Sequence, residues 1–458
     1  MENVLPSSLA RDDNRMIDML NLPRLKVLEM EDQPDQYTFL AETEAKPFSC
    51  DKCNRMRFYA HGVRRQVYMD TPSHGKMVAI VVDRKRFRCQ DCGAVTLQPL
   101  SDMHSDHQMT TRLVEYVEAN SLRRTFADVA KETGLNEKTI RRITGDYIKA
   151  LEAKHKFQTP IWLGLDEIFI IKKARGVVAN VKDRCMIDML PDRNKITVGN
   201  YINNVLDRSK IEVVTMDMWV PYRSVARELC PKAAVVVDKF HVVRMASDAL
   251  NNVRKSLRGS LTTRARLKLK DDRHVLNMRF DKLDQRQRTL IQLWSDEHPI
   301  LGKAWVAKES FFDIWDCKSA QEAKDCYAIW RDRLPPELAE TFRPLVTALG
   351  NWETEIFAHF THGATNAYVE ALNSVIRVVN RMGRGYSFDV LRARMLFVHG
   401  HQQAARRIQK RHEAFFGKVG FGDGFAGFLG ADYDEPDGPL EVGVPLSVLA
   451  DMIADGRI

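Results

Sequence analysis

Four acidic residues of this 458-residue chain stand where an unpartnered carboxylate is expensive. Asp166 lies inside the apolar run GLDEIF, Asp217 ends the apolar stretch VVTMD, and Asp238 ends VVVD. Acids at the ends of buried strands cost several kcal/mol unless they ligate metal or pair with a base. The fourth, Glu370, begins a periodic stretch in which Asn373, Arg377 and Arg381 follow at offsets of three, four and four, all on one helical face, with Arg384 just beyond. Carboxylates set among arginines suit a site that faces both metal and phosphate. Two Mg2+ (or Mn2+) ions roughly 3.5 to 4 Å apart would activate water or a 3′-hydroxyl for in-line displacement at phosphorus, with Asp166 bridging both ions, Asp217 holding one and Glu370 the other. Asp238 and His241, three apart, read as a supporting brace, as does Asn373. Glu167 points away from Asp166 across its strand and reads as a surface or salt-bridge residue.

These acids need a sheet to converge. From Ile161 the runs IWLGLDEIFII, GVVANV and CMIDML predict a meander, and IEVVTMDMW, a helix near Pro221 and AAVVVDKFHVV predict a strand, crossover helix and strand. Residues 157–241 are thus the first part of an α/β catalytic domain. Residues 242–355 lose the strand pattern and predict an all-helical insertion. Residues 356–416 return the second part with Glu370, on a helix from Asn366 to about Asn380, followed by another from Ser387 to about His412. The Gly-rich, acidic stretch 417–458 reads as a peripheral tail.

Two modules precede this domain. In residues 1–100, Cys50 and Cys53 form CDKC, and Cys89 and Cys92 form CQDC, with 35 residues between the inner cysteines. Strand-like alternation at 57–69 and 76–88 would fold the two pairs together as a zinc ribbon holding one structural Zn2+, with four thiolates and no open position for a water. Residues 101–156 predict a helix-turn-helix, with Gly134 ending one helix and Asn136 capping the next, and with Thr139, Arg141 and Arg142 near the exposed side. A third basic element runs from Arg254 to Lys270 and includes Lys255, Arg258, Arg264 and Arg266 without one acid. It suits a phosphate backbone or a solvated helix face.

The charge of +8 at pH 7 and the pI near 9.0 favour an anionic partner, and 44% hydrophobic residues supply real cores. No apolar run reaches the roughly 18 to 20 residues of a membrane span, and the first residues lack the apolar core of a secretory signal. A cytoplasmic, nucleoid-associated protein is expected, with no membrane partner and with cysteines in a reducing setting.

CDKC and CQDC, LDE, MDMW, VVDKFHVV, EALNSVI and RMGRGYSF together resemble the bacterial insertion-sequence transposases of the ISL-three type, an acidic-triad (DDE) family with a ribonuclease-H-like catalytic domain. The resemblance implies Asp166, Asp217 and Glu370 as the triad and an insertion domain before the last acid. It also implies that Asp238-x-x-His241 supports the site without ligating. The implied activity is binding of terminal inverted repeats, cleavage to expose 3′-hydroxyls and their transfer to target DNA, by at least a dimer when two ends are joined. The residues alone also permit a simple metal-dependent nuclease or a catalytically silent DNA-binding regulator.

Overall fold

A computed structural model describes residues 20–383 and 385–399. Arg384, the end of the last expected helix and the tail 417–458 lie outside the described residues.

Strands Lys26–Asp32 (β1), Gln36–Glu42 (β2), Phe58–Ser73 (β3), Lys76–Cys89 (β4) and Val95–Leu97 (β5) form one sheet in the order β1-β2-β4-β3, with β5 on β4. The turn between β3 and β4 lies at their far end, so the two long strands return Cys89 opposite Phe58, beside the first cysteine pair. Alternation in β2 and β4 buries Tyr37, Phe39, Val78, Ile80 and Val82 in a small core with Tyr68.

Helices Thr111–Ser121 (α1), Phe126–Thr133 (α2) and Glu137–Lys154 (α3) follow. Gly134 closes α2 at φ +71°, a left-handed turn that favours glycine, and it packs against the flexible end of Met77 on β4. Asn136 caps α3 through Lys138 N at 2.9 Å.

The second sheet joins Trp162–Ile170 (β6), Lys173–Asn180 (β7), Cys185–Leu190 (β8), Val213–Met216 (β9) and Ala234–Val237 (β10) in the order β10-β9-β6-β7-β8. The β6-β7-β8 meander is antiparallel, and β9 and β10 run parallel to β6. This is the mixed α/β sheet of a ribonuclease-H-like fold. Helices Lys195–Val205 (α4), Val220–Leu229 (α5) and Lys239–Ser256 (α6) complete its strand connections and lead out of it.

From α6 to His362 every described element is helical: Thr263–Asp271 (α7), Arg273–Asn277 (α8), Gln285–Glu297 (α9), Pro299–Asp313 (α10), Ala320–Asp332 (α11), Pro336–Asn351 (α12), Glu353–Phe357 (α13) and His359–His362 (α14), with short 3-10 turns. Buried Glu355 on α13 receives Arg227 of α5, tying the insertion to the sheet domain. Within the basic run, Lys255, Arg258, Arg264 and Arg266 are exposed. Arg254 is a correction to the DNA-contact set. It is only 4% exposed, and its guanidinium donates to Asn251 Oδ1 and the Leu269 carbonyl, bracing α6 against α7.

Helices Ala367–Met382 (α15) and Phe388–Phe397 (α16) return to the sheet. The stripe Val369, Leu372, Ile376 and Val379 of α15 packs on Ile168, Ile170 and Val177, in one core shared with Leu113, Phe126, Val129, Ile140 and Ile143 of the helix-turn-helix. That shared core was not legible in the sequence, where the two segments read as separate modules. Polar contacts reinforce it: Arg392 of α16 takes both oxygens of buried Asp188 on β8 and also pairs with Glu152 of α3. Cutting the chain at residue 156 would expose this core.

Candidate active site

Strand register sets the site. Leu165 of β6 and Val237 of β10 both pair with Met216 of β9, so the next residue on each chain, Asp166, Asp217 and Asp238, stands at one level across three neighbouring parallel strands. Carboxyl ends of parallel strands are where open α/β sheets bind ligands. Gly164 supplies the fourth acid. A Cβ there would lie 2.9 Å from Val369 and 2.6 Å from Val181, so the missing side chain lets α15 lie close on β6 with Glu370 above the aspartates.

Asp166 is 5% exposed; its Oδ1 accepts from Glu167 N at 2.7 Å and its Oδ2 from Asn373 Nδ2 at 2.8 Å. Asp238 caps α6 through Phe240 N at 3.4 Å. His241 Nδ1 sits 3.1 Å from Asp217 Oδ1 and 3.9 Å from Asp238 Oδ2. Glu167 lies on the other face of β6 and pairs with Arg193. Asp217 and His241 line an open cleft of about 280 Å³ together with Glu167, Arg193, Met218, Trp219 and Tyr222.

The acids hold one another's protons. Burial, then the neighbouring charge of Asp217, pushes Asp166 up to about 8. Burial and the charge of Asp238 push Asp217 up to about 6 and raise Glu370 as well. Four buried polar atoms in this cluster, Asp217 Oδ1, Asp238 Oδ2, His241 Nδ1 and Asn373 Oδ1, make no hydrogen bond among the described residues. Ligand atoms of Asp238, His241 and Glu370 all lie within 4.8 Å of one another. Clustered acids with raised pKa values and orphaned acceptors fit a divalent cation, which would satisfy both. Sequence reasoning placed Asp238 and His241 as a brace; the fold brings both within ligand reach of Glu370. It did not find Arg193 or Trp219, whose only signals are an arginine just after β8 and an aromatic two residues after Asp217.

A pH dependence follows. Folded Asp166 and Asp217 retain protons that the unfolded chain releases near pH 4. Their raised pKa values therefore favour the fold at acid pH, and that contribution is lost as pH rises through about 6 and then about 8. With magnesium omitted, melting temperature should fall by several degrees between pH 5.5 and 8.5, and added Mg2+ should raise it most at the alkaline end. A magnesium shift equal at both pH values would contradict this.

At the other end of the chain, Cys50 and Cys92 Sγ are 3.5 Å apart and Cys53 and Cys89 Sγ 3.6 Å, close to the roughly 3.8 Å edge of a tetrahedron built on Zn–S bonds of about 2.3 Å. All four offer atoms to one ion. The two knuckles are built alike: Asn54 N donates to Cys50 O and Gly93 N to Cys89 O, and Asn54 and Gly93 both have positive φ. Amides of Cys53 and Lys52 pull the Cys50 thiol down to about 7, while burial and the neighbouring sulfurs push Cys53 up to about 12, so the four sulfurs share protons that a bound zinc would displace. The cluster is a structural Zn2+ site, separate from the acidic site that fits Mg2+ or Mn2+.

In the helix-turn-helix, Arg141 and Arg142 are exposed and Thr139 half-buried. Arg141 pairs with Glu137 and lies 4.8 Å over the Phe126 ring, while Arg142 shares a hydrogen bond with His107. Arg377 and Arg381 are exposed on α15, on the Glu370 face.

Residues 163–395 match the family model of the DDE transposases of the ISL3 type, described as "Transposase", and residues 46–92 match the zinc finger of the IS204/IS1001/IS1096/IS1165 transposases. The chain is 23% identical over 350 residues to the transposase for insertion sequence element IS1001 of Bordetella parapertussis, covering 75% of this chain and 86% of that one. It is 24% identical over 296 residues to the transposase for insertion sequence element IS1557 in two strains of Mycobacterium tuberculosis, covering 57% of this chain and 65% of theirs. No described helix is long and apolar enough to cross a membrane.

Proposed function

Because the chain belongs to the ISL3 family of DDE transposases, metal-dependent DNA-recombining enzymes, we propose that it binds the terminal inverted repeats of its own insertion sequence, cuts there and transfers the exposed 3′-hydroxyls to target DNA. The observation that carries this reading is the row of Asp166, Asp217 and Asp238 at one level beneath Glu370.

In this reading Asp166, Asp217 and Glu370 are the catalytic ligands. Bound divalent cations lower the pKa of the attacking water or hydroxyl and stabilise the departing oxygen. The protein's part is positioning. Asn373 donates to Asp166 and fixes its rotamer, and His241 stands against Asp217 Oδ1. Asp217 lines the open cleft, whereas Asp238 is 2% exposed and is engaged as the cap of α6. In this reading Asp217 is the second triad member, and Asp238 positions the start of the helix that carries His241. Arg377 and Arg381 extend from Glu370 along α15 and suit the backbone of DNA leading into the site.

Thr139, Arg141 and Arg142 are the proposed readers of the repeat, and Lys255, Arg258, Arg264 and Arg266 the proposed phosphate contacts. Joining two ends calls for at least a dimer on DNA. The test is a labelled duplex carrying the terminal repeats that flank the reading frame, incubated with plasmid and Mg2+ or Mn2+. Cleavage followed by joining of the 3′-hydroxyl strand is expected. Cleavage without joining would indicate a nuclease, and binding without cleavage a silent regulator. On the same duplex, Arg264→Ala with Arg266→Ala should weaken binding to all sequences alike and lower the slope of log K against log salt by about 2. An unchanged slope would remove the insertion from the interface.

A further inference from the structure

We propose that the cleft beside Asp217 is a binding site for one unstacked nucleobase next to the scissile phosphate, with Trp219 as the stacking platform and Arg193 as its brace. The proposal rests on the strand-cleaving function proposed above and adds a substrate contact to it.

Three observations meet here. First, Trp219 joins a broad apolar ring to a polar N–H, the kind of side chain that serves at contact surfaces. Trp219 is 37% exposed, two residues after Asp217, in the cleft that Asp217 and His241 also line. Second, the ring is held. Trp219 N donates to Asp217 O at 2.7 Å, and the Trp219 carbonyl accepts from Tyr222 N and Arg223 N as the start of α5. These bonds fix the backbone that carries the ring to the same turn as Asp217. Third, Arg193 lies 4.3 Å over the ring and is itself anchored by Glu167, so a fixed cation backs the indole at the cleft that both residues line. Met218 and Tyr222 give the cleft an apolar wall, and Tyr222 is pinned through its hydroxyl to the Asp166 carbonyl at 3.3 Å.

The chemistry of the ligand follows from that lining. A flat, π-faced, weakly hydrated group fits between an aromatic ring and apolar walls, and in DNA the only such group is a base. A paired base keeps its faces inside the helix, so one must leave the stack to reach the indole. The site would thus offset part of the cost of distorting the duplex at the cut. It would also fix the register of the phosphate over Asp166 and Asp217.

The test uses the full chain and a terminal-repeat duplex in which 5-iodouracil replaces, one at a time, the three nucleotides on either side of the cleaved phosphate. Irradiation of the bound complex should give a cross-link at one of these positions that maps by mass spectrometry to Trp219 and vanishes in Trp219→Ala. Base stacking contributes about 1 to 3 kcal/mol, so Trp219→Ala should cut a paired duplex about ten- to a hundred-fold more slowly. Melting temperature should be unchanged, and affinity for the paired duplex should fall by no more than the rate does. Trp219→Phe should retain most of the rate, and a mismatch at the cross-linking position should restore part of the loss in Trp219→Ala. Cross-links that map elsewhere, an unchanged rate in Trp219→Ala, or an equal loss on paired and mismatched duplexes would overturn the proposal while leaving strand cleavage intact. Failure of the wild-type chain to cut any duplex would instead remove the function on which it rests, and the cross-link still reports base contact.

Discussion

Changing Cys50 and Cys89 together to serine is expected to abolish zinc binding and unfold the ribbon end of the N-terminal sheet. The two residues come from opposite knuckles, one sulfur from each close pair. Their loss leaves two thiolates that cannot enclose an ion. Structural zinc contributes apparent binding energies of about 10 to 16 kcal/mol in small zinc domains, most of it folding energy. Here the knuckles have little else to hold them, because Cys53 and Cys92 are only half-buried and the surrounding turns pack no large apolar core. The core of Tyr37, Phe39, Tyr68, Ile80 and Val82 lies further along the same strands, so the sheet should fray from Phe58 and Cys89 inward without taking the catalytic domain with it. Metal analysis should find about one zinc per wild-type chain and none in the variant, and hydrogen exchange should lose protection in residues 50–60 and 86–97. A zinc-free chain with a fully protected ribbon would contradict this.

The second large effect is expected at the acids. Asp166→Asn, Asp217→Asn and Glu370→Gln should each bind terminal DNA like the parent and lose cleavage and joining by about a thousand-fold or more in both magnesium and manganese, a loss of roughly 4 kcal/mol in the transition state. Removing a charge from this repelling cluster does not harm the fold. Asp166 and Asp217 already carry raised pKa values, so the amides should melt at or above the parent temperature when metal is omitted. Asp238→Asn should differ. An asparagine can still cap α6, and the change removes one of the charges that raise Asp217 and Glu370. It should lower activity only through stability or geometry at the start of α6, leaving a measurable rate. A folded Asp217→Asn chain that still cuts, beside a folded Asp238→Asn chain that does not, would exchange the two roles.

Much of this site was legible in the residues. Asp166 announces itself because it interrupts an apolar strand, Asp217 and Asp238 because each closes one, and Glu370 because Asn373, Arg377 and Arg381 share its helical face. The CxxC pairs and the Gly134 turn were legible because their chemistry is local. What depends on distant partners was not. Arg392 meets Asp188 across 204 positions, and nothing in either neighbourhood names the other. The apolar residues of the helix-turn-helix announce a core without saying that the catalytic sheet completes it. Arg254 is the instructive error. Its place in a basic run suggested DNA, yet it falls four residues after Leu250 and one after Val253, on the buried stripe of α6. Helical periodicity outweighed charge there.

The most direct test of the central claim, that Asp166, Asp217 and Glu370 hold the metal on which strand cleavage depends, is a change of ligand softness at the contested position. Thiolate binds manganese far better than magnesium relative to carboxylate. Cleavage of the terminal-repeat duplex by Asp217→Cys should be absent in Mg2+ and recover in Mn2+, while Asp238→Cys should show no such difference between the metals. Recovery in Mn2+ for Asp238→Cys, with Asp217→Cys equally active in both metals, would contradict the assignment.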